Sequence, residues 1–320
     1  MTKSGLFQFL HDTGVIPVAC VEDAANAVPL AEAVLAGGIG VLEITFRTEA
    51  AGEAIRQIRA ECPQMLVGAG TVLHPQTAEK AVQAGAAFIV SAGLNPETVS
   101  WCTARDIPVL PGVCTPSEIE QGLALGLDTF KFFPAEAAGG AAMLKSLSGP
   151  FPGVRFLATG GIRAENIAQY ARCRNVLAAA GSWMVSGELQ AKGRWDEITR
   201  LCAEALLAVQ GLEFAHLGIN NGTPGEAEQL ARIFEAFGMR ANPGPLSIFM
   251  NREIELMNRP FYGSKGHIGF RCTDPARTAK YLEKYGFTVN PESIQYDADG
   301  SVRLCYFQEE TAGFAIHLVK

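Results

Sequence analysis

The 320-residue chain has no excess of basic residues, no paired cysteine motif and no apolar run long enough to cross a membrane. Each absence removes a class of function. Lys and Arg number 26 against 33 Asp and Glu, a net charge of −7, so there is no electrostatic case for a nucleic-acid partner. Without about 20 consecutive apolar residues, no membrane partner is expected either. The opening stretch MTKSGLFQFLHDTGVIPVAC is broken by His11 and Asp12 before an apolar core can build up, so it does not read as a secretory leader. The eight cysteines include no CxxC pair and no zinc-type spacing, and in a chain with no export signal they read as reduced thiols of a cytoplasmic protein. Histidine is scarce: there are five, which makes their positions informative. What remains is ordinary globular composition, 48% hydrophobic and 18% charged, in a chain long enough for two domains.

Two regions differ in grammar. Residues 1–210 alternate short apolar runs with helical stretches. The runs are IPVACV at 16, VLEITF at 41, MLVGAG at 65, AFIVSAG at 87, PVLPGV at 108, TFKFFP at 129, RFLATGG at 155 and VLAAAGS at 176, their starts 21 to 26 residues apart. Each interval has room for one helix and two short loops, and several helices are expected to stop at glycine (Gly37, Gly85, Gly126). Eight strands each followed by a helix predict parallel pairing with right-handed crossovers, and the count of eight favours a closed (β/α)8 TIM barrel.

One residue breaks the apolar pattern in the sixth run. Side chains of a barrel strand alternate between interior and helix layer. Phe130 and Phe132 suit the helix layer, so Lys131 points inward with Thr129 and Phe133. Burial disfavours an ammonium and favours the neutral, nucleophilic amine, which is what Schiff-base chemistry on a ketone needs. From this segment alone a lysine snorkelling at a strand end stands equally open. In VLEITFRT, Glu43, Thr45 and Arg47 share one face while Leu42, Ile44 and Phe46 share the other. An acid, a hydroxyl and a guanidinium then face the interior, where charges must be paired or functional. A structural Glu–Arg pair is the alternative. The Gly-rich stretches ATGGI (158–162) and AAGSW (179–183) follow the seventh and eighth strands, where many such barrels hold phosphate on backbone N–H groups.

The motifs VLEITFRTE, VGAGTVL, KFFPAEAAGG, TGGI and AGSW, in this order over about residues 5–210, resemble the 2-keto-3-deoxy-6-phosphogluconate / 4-hydroxy-2-oxoglutarate aldolase family, class I aldolases. The resemblance implies a Schiff-base lysine at Lys131 and a general acid/base at Glu43. It implies carboxylate-holding groups at Arg47 and Thr71, pocket residues at Phe133 and Thr159, and a phosphate site at Gly160, Gly161, Gly181 and Ser182. It implies a small-molecule keto acid or phospho-sugar acid as partner, no cofactor for the aldol step, and a homotrimer. Ala92 in SAGL stands where the family usually has proline, which puts substrate preference in question. The expected reaction is cleavage of 2-keto-3-deoxy-6-phosphogluconate to pyruvate and glyceraldehyde 3-phosphate. Alternatives are 4-hydroxy-2-oxoglutarate cleavage, oxaloacetate decarboxylation, or a regulatory scaffold with a retired barrel and a sensing C-terminal domain.

Residues 211–320 contain a repeat. HLGI at 216–219 recurs as HIGF at 267–270, and each is followed by an amphipathic helix ending in FGM or YGF. The unit reads as strand, helix and further short strands, twice. This region looks like the vicinal-oxygen-chelate superfamily, the glyoxalase-like fold of two βαβββ modules. That resemblance implies metal ligands on the first and last strands of each module, here His216, Glu255, His267 and His317. Imidazoles and a carboxylate suit a divalent Zn, Ni, Co, Mn or Fe ion. The alternative is a binding or dimerisation module with a degenerate site.

Overall fold

All eight apolar runs of the first region form strands in parallel ladders. They are β1 (Val15–Ala19), β2 (Val41–Thr45), β3 (Leu66–Gly70), β4 (Phe88–Val90), β5 (Val109–Leu110) with β6 (Gly112–Val113), β7 (Thr129–Phe132), β8 (Arg155–Thr159) and β9 (Val176–Gly181). The strands are buried on both faces, which is why they read as nearly unbroken apolar runs. β5 and β6 are halves of one run separated by Pro111, which has no N–H to give a ladder. The hydrogen-bonded order is β5-β4-β3-β2-β1-β9-β8-β7-β6. The two ends of this sheet are therefore the two halves of a single run, and the sheet comes round on itself as a nearly closed parallel barrel. Pro111 still contributes, because its carbonyl accepts from Lys131 N–H at 2.9 Å.

The alternation read in β7 is present. Phe130 and Phe132 are fully buried against Phe156, with ring centroids 6.4 and 6.0 Å away. The Phe130 ring also lies where a Cβ on Gly122 would sit, 2.1 Å away, so the helix Pro116–Ala124 packs its backbone directly on β7. That helix starts on a capping box between Thr115 and Glu118. The helix Ala27–Ala36 stops at Gly37 as expected, although not with a left-handed turn on that residue. Gly37 keeps right-handed backbone with φ −73°, and the left-handed turn falls on Gly38 with φ 87°. Gly85 and Gly126 take the left-handed conformation, with φ 105° and 79°.

The structure is a computed structural model describing residues 2–320. It divides into two units, Met1–Val209 and Gln210–Lys320. The second unit runs β10 (Glu213–Asn220), helix Pro224–Ala236, β11 (Ala241–Pro243), β12 (Ser247–Met250), β13 (Ile254–Met257), then β14 (Gly266–Arg271), helix Pro275–Glu283, β15 (Gln295–Tyr296), β16 (Val302–Thr311) and β17 (Phe314–Val319). Strand, helix and three strands thus occur twice. The sheet order β11-β12-β13-β10-β14-β17-β16-β15 is symmetric about the β10/β14 pair. Both helices begin with a side-chain cap followed by proline, Thr223–Pro224 and Asp274–Pro275. Each helix covers its own half of the sheet. Ala227 and Ala231 share a core with Ile248, Met250 and Leu256, and Ala279 shares one with Cys305, Phe307, Ile316 and Leu318.

All eight cysteines are free thiols. No helix among the described residues is long and apolar enough to cross a membrane.

Candidate active site and histidine cluster

The ten barrel residues singled out in the sequence line one cavity of about 210 Å³. These are Glu43, Arg47, Thr71, Lys131, Phe133, Thr159, Gly160, Gly161, Gly181 and Ser182. They come from β2, β7, β8 and β9 and from the segments just after strand ends, the usual place for chemistry in a parallel barrel. Val18, Thr45, Ala92, Ile162 and Ala180 complete the lining.

Lys131 and Glu43 dominate the floor. The Lys131 Nζ lies 3.9 Å from Glu43 Oε1, and the side chains are 7% and 0% exposed. That gap is too long for a direct hydrogen bond. Neither carboxylate oxygen of Glu43 has a hydrogen-bond partner in the protein. A buried, under-partnered carboxylate is costly, and such groups concentrate where they do chemistry. Room for it is made on β3, because a Cβ at Gly70 would fall 2.0 Å from Glu43 Oε1. The ring of Phe133 lies 5.1 Å from Nζ.

Arg47 does not pair with Glu43. Its Nε donates to Thr45 Oγ1 at 3.2 Å, and Thr45 in turn donates to the Ala19 carbonyl at 3.1 Å. This chain fixes the guanidinium by one nitrogen on the cavity lining. Thr45 is thus a positioning residue whose inward direction was readable from alternation, although its partner was not. Thr71 holds φ 56°, a costly conformation for a β-branched residue and one that tends to occur at ligand contacts. The Thr159 hydroxyl is buried without a protein partner.

The Gly160–Gly161 turn is built from two successive left-handed residues, φ 102° and 78°. Only glycine fits there: a Cβ on Gly161 would lie 2.5 Å from Glu136 Cγ. The Glu136 N–H donates to the Gly160 carbonyl at 3.0 Å, and the Glu136 carboxylate accepts from the buried Tyr170 hydroxyl. Burial and the Glu136 carboxylate push the Tyr170 phenol up. Ser182 precedes a 3-10 turn and its hydroxyl makes no capping bond, so it is available to the cavity.

In the second unit, His216, Glu255, His267 and His317 come together across four strands, two of them from each half. His216 Nε2 lies 3.1 Å from His267 Nε2 and 3.2 Å from His317 Nε2. Glu255 Oε2 lies 3.1 Å from His267 Nε2 and 3.4 Å from His216 Nε2. Three imidazole nitrogens thus converge on one point beside a carboxylate. Ser247 donates to Glu255 Oε1 at 2.6 Å and orients it.

Burial holds the His216 imidazole below its ordinary range, with Glu255 opposing. Burial and its two imidazole neighbours push His317 down to about 3. Burial alone would raise Glu255, but hydrogen bonds from His267 and Ser247 outweigh it, so the carboxyl lies below its usual range.

The repeat explains the convergence. A Cβ on Gly218 would lie 2.1 Å from the His267 ring. A Cβ on Gly269 would lie 2.6 Å from His317 Nε2 and 2.8 Å from His216 Cε1. The glycine two residues after each histidine of HLGI and HIGF therefore clears space for a histidine of the other half.

The family described as "Aldolase: KDPG and KHG aldolase" matches residues 7–201. A 2-dehydro-3-deoxy-phosphogluconate aldolase of Treponema pallidum (strain Nichols) is 46% identical over 204 residues, covering 64% of this chain and 97% of the relative. A KHG/KDPG aldolase of Escherichia coli (strain K12) is also 46% identical over 204 residues, covering 64% of this chain and 96% of the relative. Among solved structures, KDPG aldolase from Legionella pneumophila, with pyruvate captured at low pH as a covalent carbinolamine intermediate, matches at a TM-score of 0.60 and 43% identity. That match covers 62% of this chain and 96% of that one.

Proposed function

The chain belongs to the KDPG and KHG aldolase family, and from that premise we propose that it cleaves 2-keto-3-deoxy-6-phosphogluconate to pyruvate and glyceraldehyde 3-phosphate through an imine on Lys131. It is a class I aldolase by family. The observation that carries the residue assignment is the buried Lys131–Glu43 pair, 3.9 Å apart in a cavity that ends at the Gly160–Gly161 turn. The covalent carbinolamine of pyruvate in the Legionella relative supports amine chemistry at such a site.

Lys131 attacks the C2 ketone as the neutral amine, and loss of water gives an iminium. Glu43, directly or through a water in the 3.9 Å gap, takes the proton of the C4 hydroxyl. The C4 oxygen becomes the aldehyde carbonyl as the C3–C4 bond breaks, and the bonding pair moves onto the iminium nitrogen to give an enamine. Glu43 returns the proton at C3. Water then adds to C2 and releases pyruvate and the free amine. Arg47 and Thr71 hold the C1 carboxylate and thereby aim the ketone at Nζ. The Gly160, Gly161 and Gly181 amides and Ser182 take the 6-phosphate. This last assignment favours the phosphorylated acid over 4-hydroxy-2-oxoglutarate or oxaloacetate. Ala92 lies on the same cavity wall, where preference among these substrates is set. Borohydride with pyruvate is the direct test. One three-carbon adduct on the Lys131 peptide is expected, and an adduct elsewhere or none overturns the assignment.

A second reading concerns Gln210–Lys320, for which the His cluster supports a divalent metal centre of the vicinal-oxygen-chelate kind. The residues present fit such an ion. Three imidazole nitrogens within 4.8 Å of one another cannot all be satisfied by one another, and a cation between them satisfies all three. Three imidazoles and Glu255 leave positions open on a five- or six-coordinate Zn, Ni, Co, Mn or Fe(II) ion. When bound, the ion supplies Lewis-acid polarisation of an oxygen ligand. The outer Nδ1 atoms of His267 and His317 have no protein acceptor, so these ligands lack the support that usually strengthens an imidazole donor. His216 and Glu255 hold the exposed side of the centre, and Ser247 keeps Glu255 aimed at it. The aldol step needs no metal, since the iminium is its electron sink. A homotrimer, which the family resemblance implies, and a cytoplasmic location, which the unpaired cysteines suggest, belong with these proposals, and light scattering of the purified chain tests the assembly.

A further inference from the structure

Resting on that metal reading, we propose that the cavity over the histidine cluster binds a small organic monoanion with an apolar body, its carboxylate recognised by Arg259. The cavity measures about 270 Å³, below the usual range for drug-sized ligands, so the molecule is small. Its floor is the four candidate ligands, and its walls are mainly apolar, with Arg259 and the Gln295 amide as the charged and polar exceptions. Met257 and Tyr306 are buried walls, each 5% exposed. Leu246 and Phe261 form the rim, and at 59% and 47% exposure they are among the most exposed large apolar side chains of the unit.

The aromatic wall is a set of contacting rings. The Tyr306 ring stacks on His317 at 4.7 Å and 28°, lies 4.4 Å from Tyr262, and meets Phe261 at 6.0 Å. A flat face of this kind, continuous with the cluster, suits a planar or branched hydrocarbon group.

Arg259 is the single cation on this lining, two residues beyond the end of β13. Its side chain is exposed at the cavity mouth and makes no ion pair or side-chain hydrogen bond among the described residues. The charge balance then points one way. An ion of charge +2 with three neutral imidazoles, one Glu255 carboxylate and one guanidinium leaves the cavity two positive charges in excess. An apolar cavity with that excess recruits an anion. The guanidinium fork matches a carboxylate in two parallel hydrogen bonds, which neither the rim nor the aromatic wall can supply. The arrangement therefore selects for a carboxylate with a neighbouring oxygen at one end and an apolar group that lies against the aromatic wall at the other.

The test uses the full chain loaded with Co(II), whose visible absorption reports on the cluster alone and is blind to the barrel. The probe is mandelate, and the comparator is 1-phenylethane-1,2-diol, which keeps the phenyl group and both vicinal oxygens without the charge. Mandelate is expected to shift the cobalt bands with saturation and to bind at least about tenfold more weakly to Arg259→Met. Arg259→Lys should recover part of the loss. The diol is expected to bind more weakly than mandelate and equally to wild type and Arg259→Met. If the diol matches mandelate, or Arg259→Met binds mandelate as wild type does, the inference is overturned. If cobalt loads but mandelate leaves the bands unchanged, this inference fails and the metal reading stands. If wild type takes up no more cobalt than His267→Ala, the metal reading fails and takes this inference with it.

Discussion

The two units solve the same problem in different ways. Each must gather polar groups that would be costly to bury alone. The barrel does so at strand ends, where loops and the last inward residues of several parallel strands meet. Its central pair stays loosely engaged, with Lys131 and Glu43 3.9 Å apart and no other partner on the carboxylate. The second unit does so on the face of a sheet, where the Nε2 atoms of His267 and His317 lie 3.1 and 3.2 Å from that of His216. The first arrangement leaves room for a substrate carbon skeleton beside the amine proposed as its nucleophile. The second is too tight for anything but an ion, and its working space lies above it. Loose packing around a buried amine and close convergence of imidazoles are thus two different ways of preparing a site.

The largest expected effect breaks the barrel side alone. Lys131→Met should remove borohydride trapping of pyruvate and reduce aldol cleavage to background, while metal content stays that of wild type. Glu43→Gln should still trap pyruvate but lose about 10²–10⁴ in kcat. Normal turnover in this variant would remove Glu43 from acid/base work.

Chelation addresses the other side. It should leave aldol cleavage within about twofold of the untreated protein, because no step runs through the ion. Melting of the second unit should fall. Metal at one hundred times its Kd contributes about 2.7 kcal/mol, which corresponds to on the order of 10 °C for a unit of this size. Equal melting curves with and without chelator would mean that no metal is held there.

Gly218→Ala sharpens the contrast, since the new methyl group must displace the His267 ring. A cost of about 1–3 kcal/mol is expected, read by denaturant unfolding. The same change in a His267→Ala background should cost less, and a simple sum of the two effects would deny the packing relation.

The smallest effect is a pH dependence confined to the metal-free second unit. Folded His317 protonates at about 3, below its ordinary value, because burial and two imidazoles oppose the charge. The unfolded chain binds that proton near pH 6.5. Between these values the unfolded state holds more protons, so stability is full above about 6.5 and declines as pH falls toward 3. Melting followed from pH 7 to pH 5 should shift downward, and less so in His317→Phe.

The barrel was legible for a physical reason. Parallel strands buried on both faces leave uninterrupted apolar runs, so a lone lysine or an acid–hydroxyl–guanidinium alternation stands out within six or eight residues. What the runs do not display is how one of them divides at Pro111, or that the left-handed turn falls on Gly38 and not Gly37, since neighbouring glycines look alike until φ is known. In the second unit the repeat exposes the histidines, because a copied sequence marks its own equivalents. Ser247, Arg259, Phe261 and Tyr306 stayed hidden. Ser247 reaches Glu255 across an antiparallel pair, and the others approach the cluster through turns and register shifts that no short window records.

The reciprocal glycines carry a consequence for how such a unit can change over generations. A duplicated segment ordinarily leaves one copy free to drift while the other keeps the original role. Here Gly218 clears the place of His267, and Gly269 clears the place of His216 and His317. A change tolerated by one copy is therefore judged by the other. The two halves are heritable only as a pair, and in a lineage that lost the chemistry side chains are expected at these two glycines only after the histidines they make room for have been replaced.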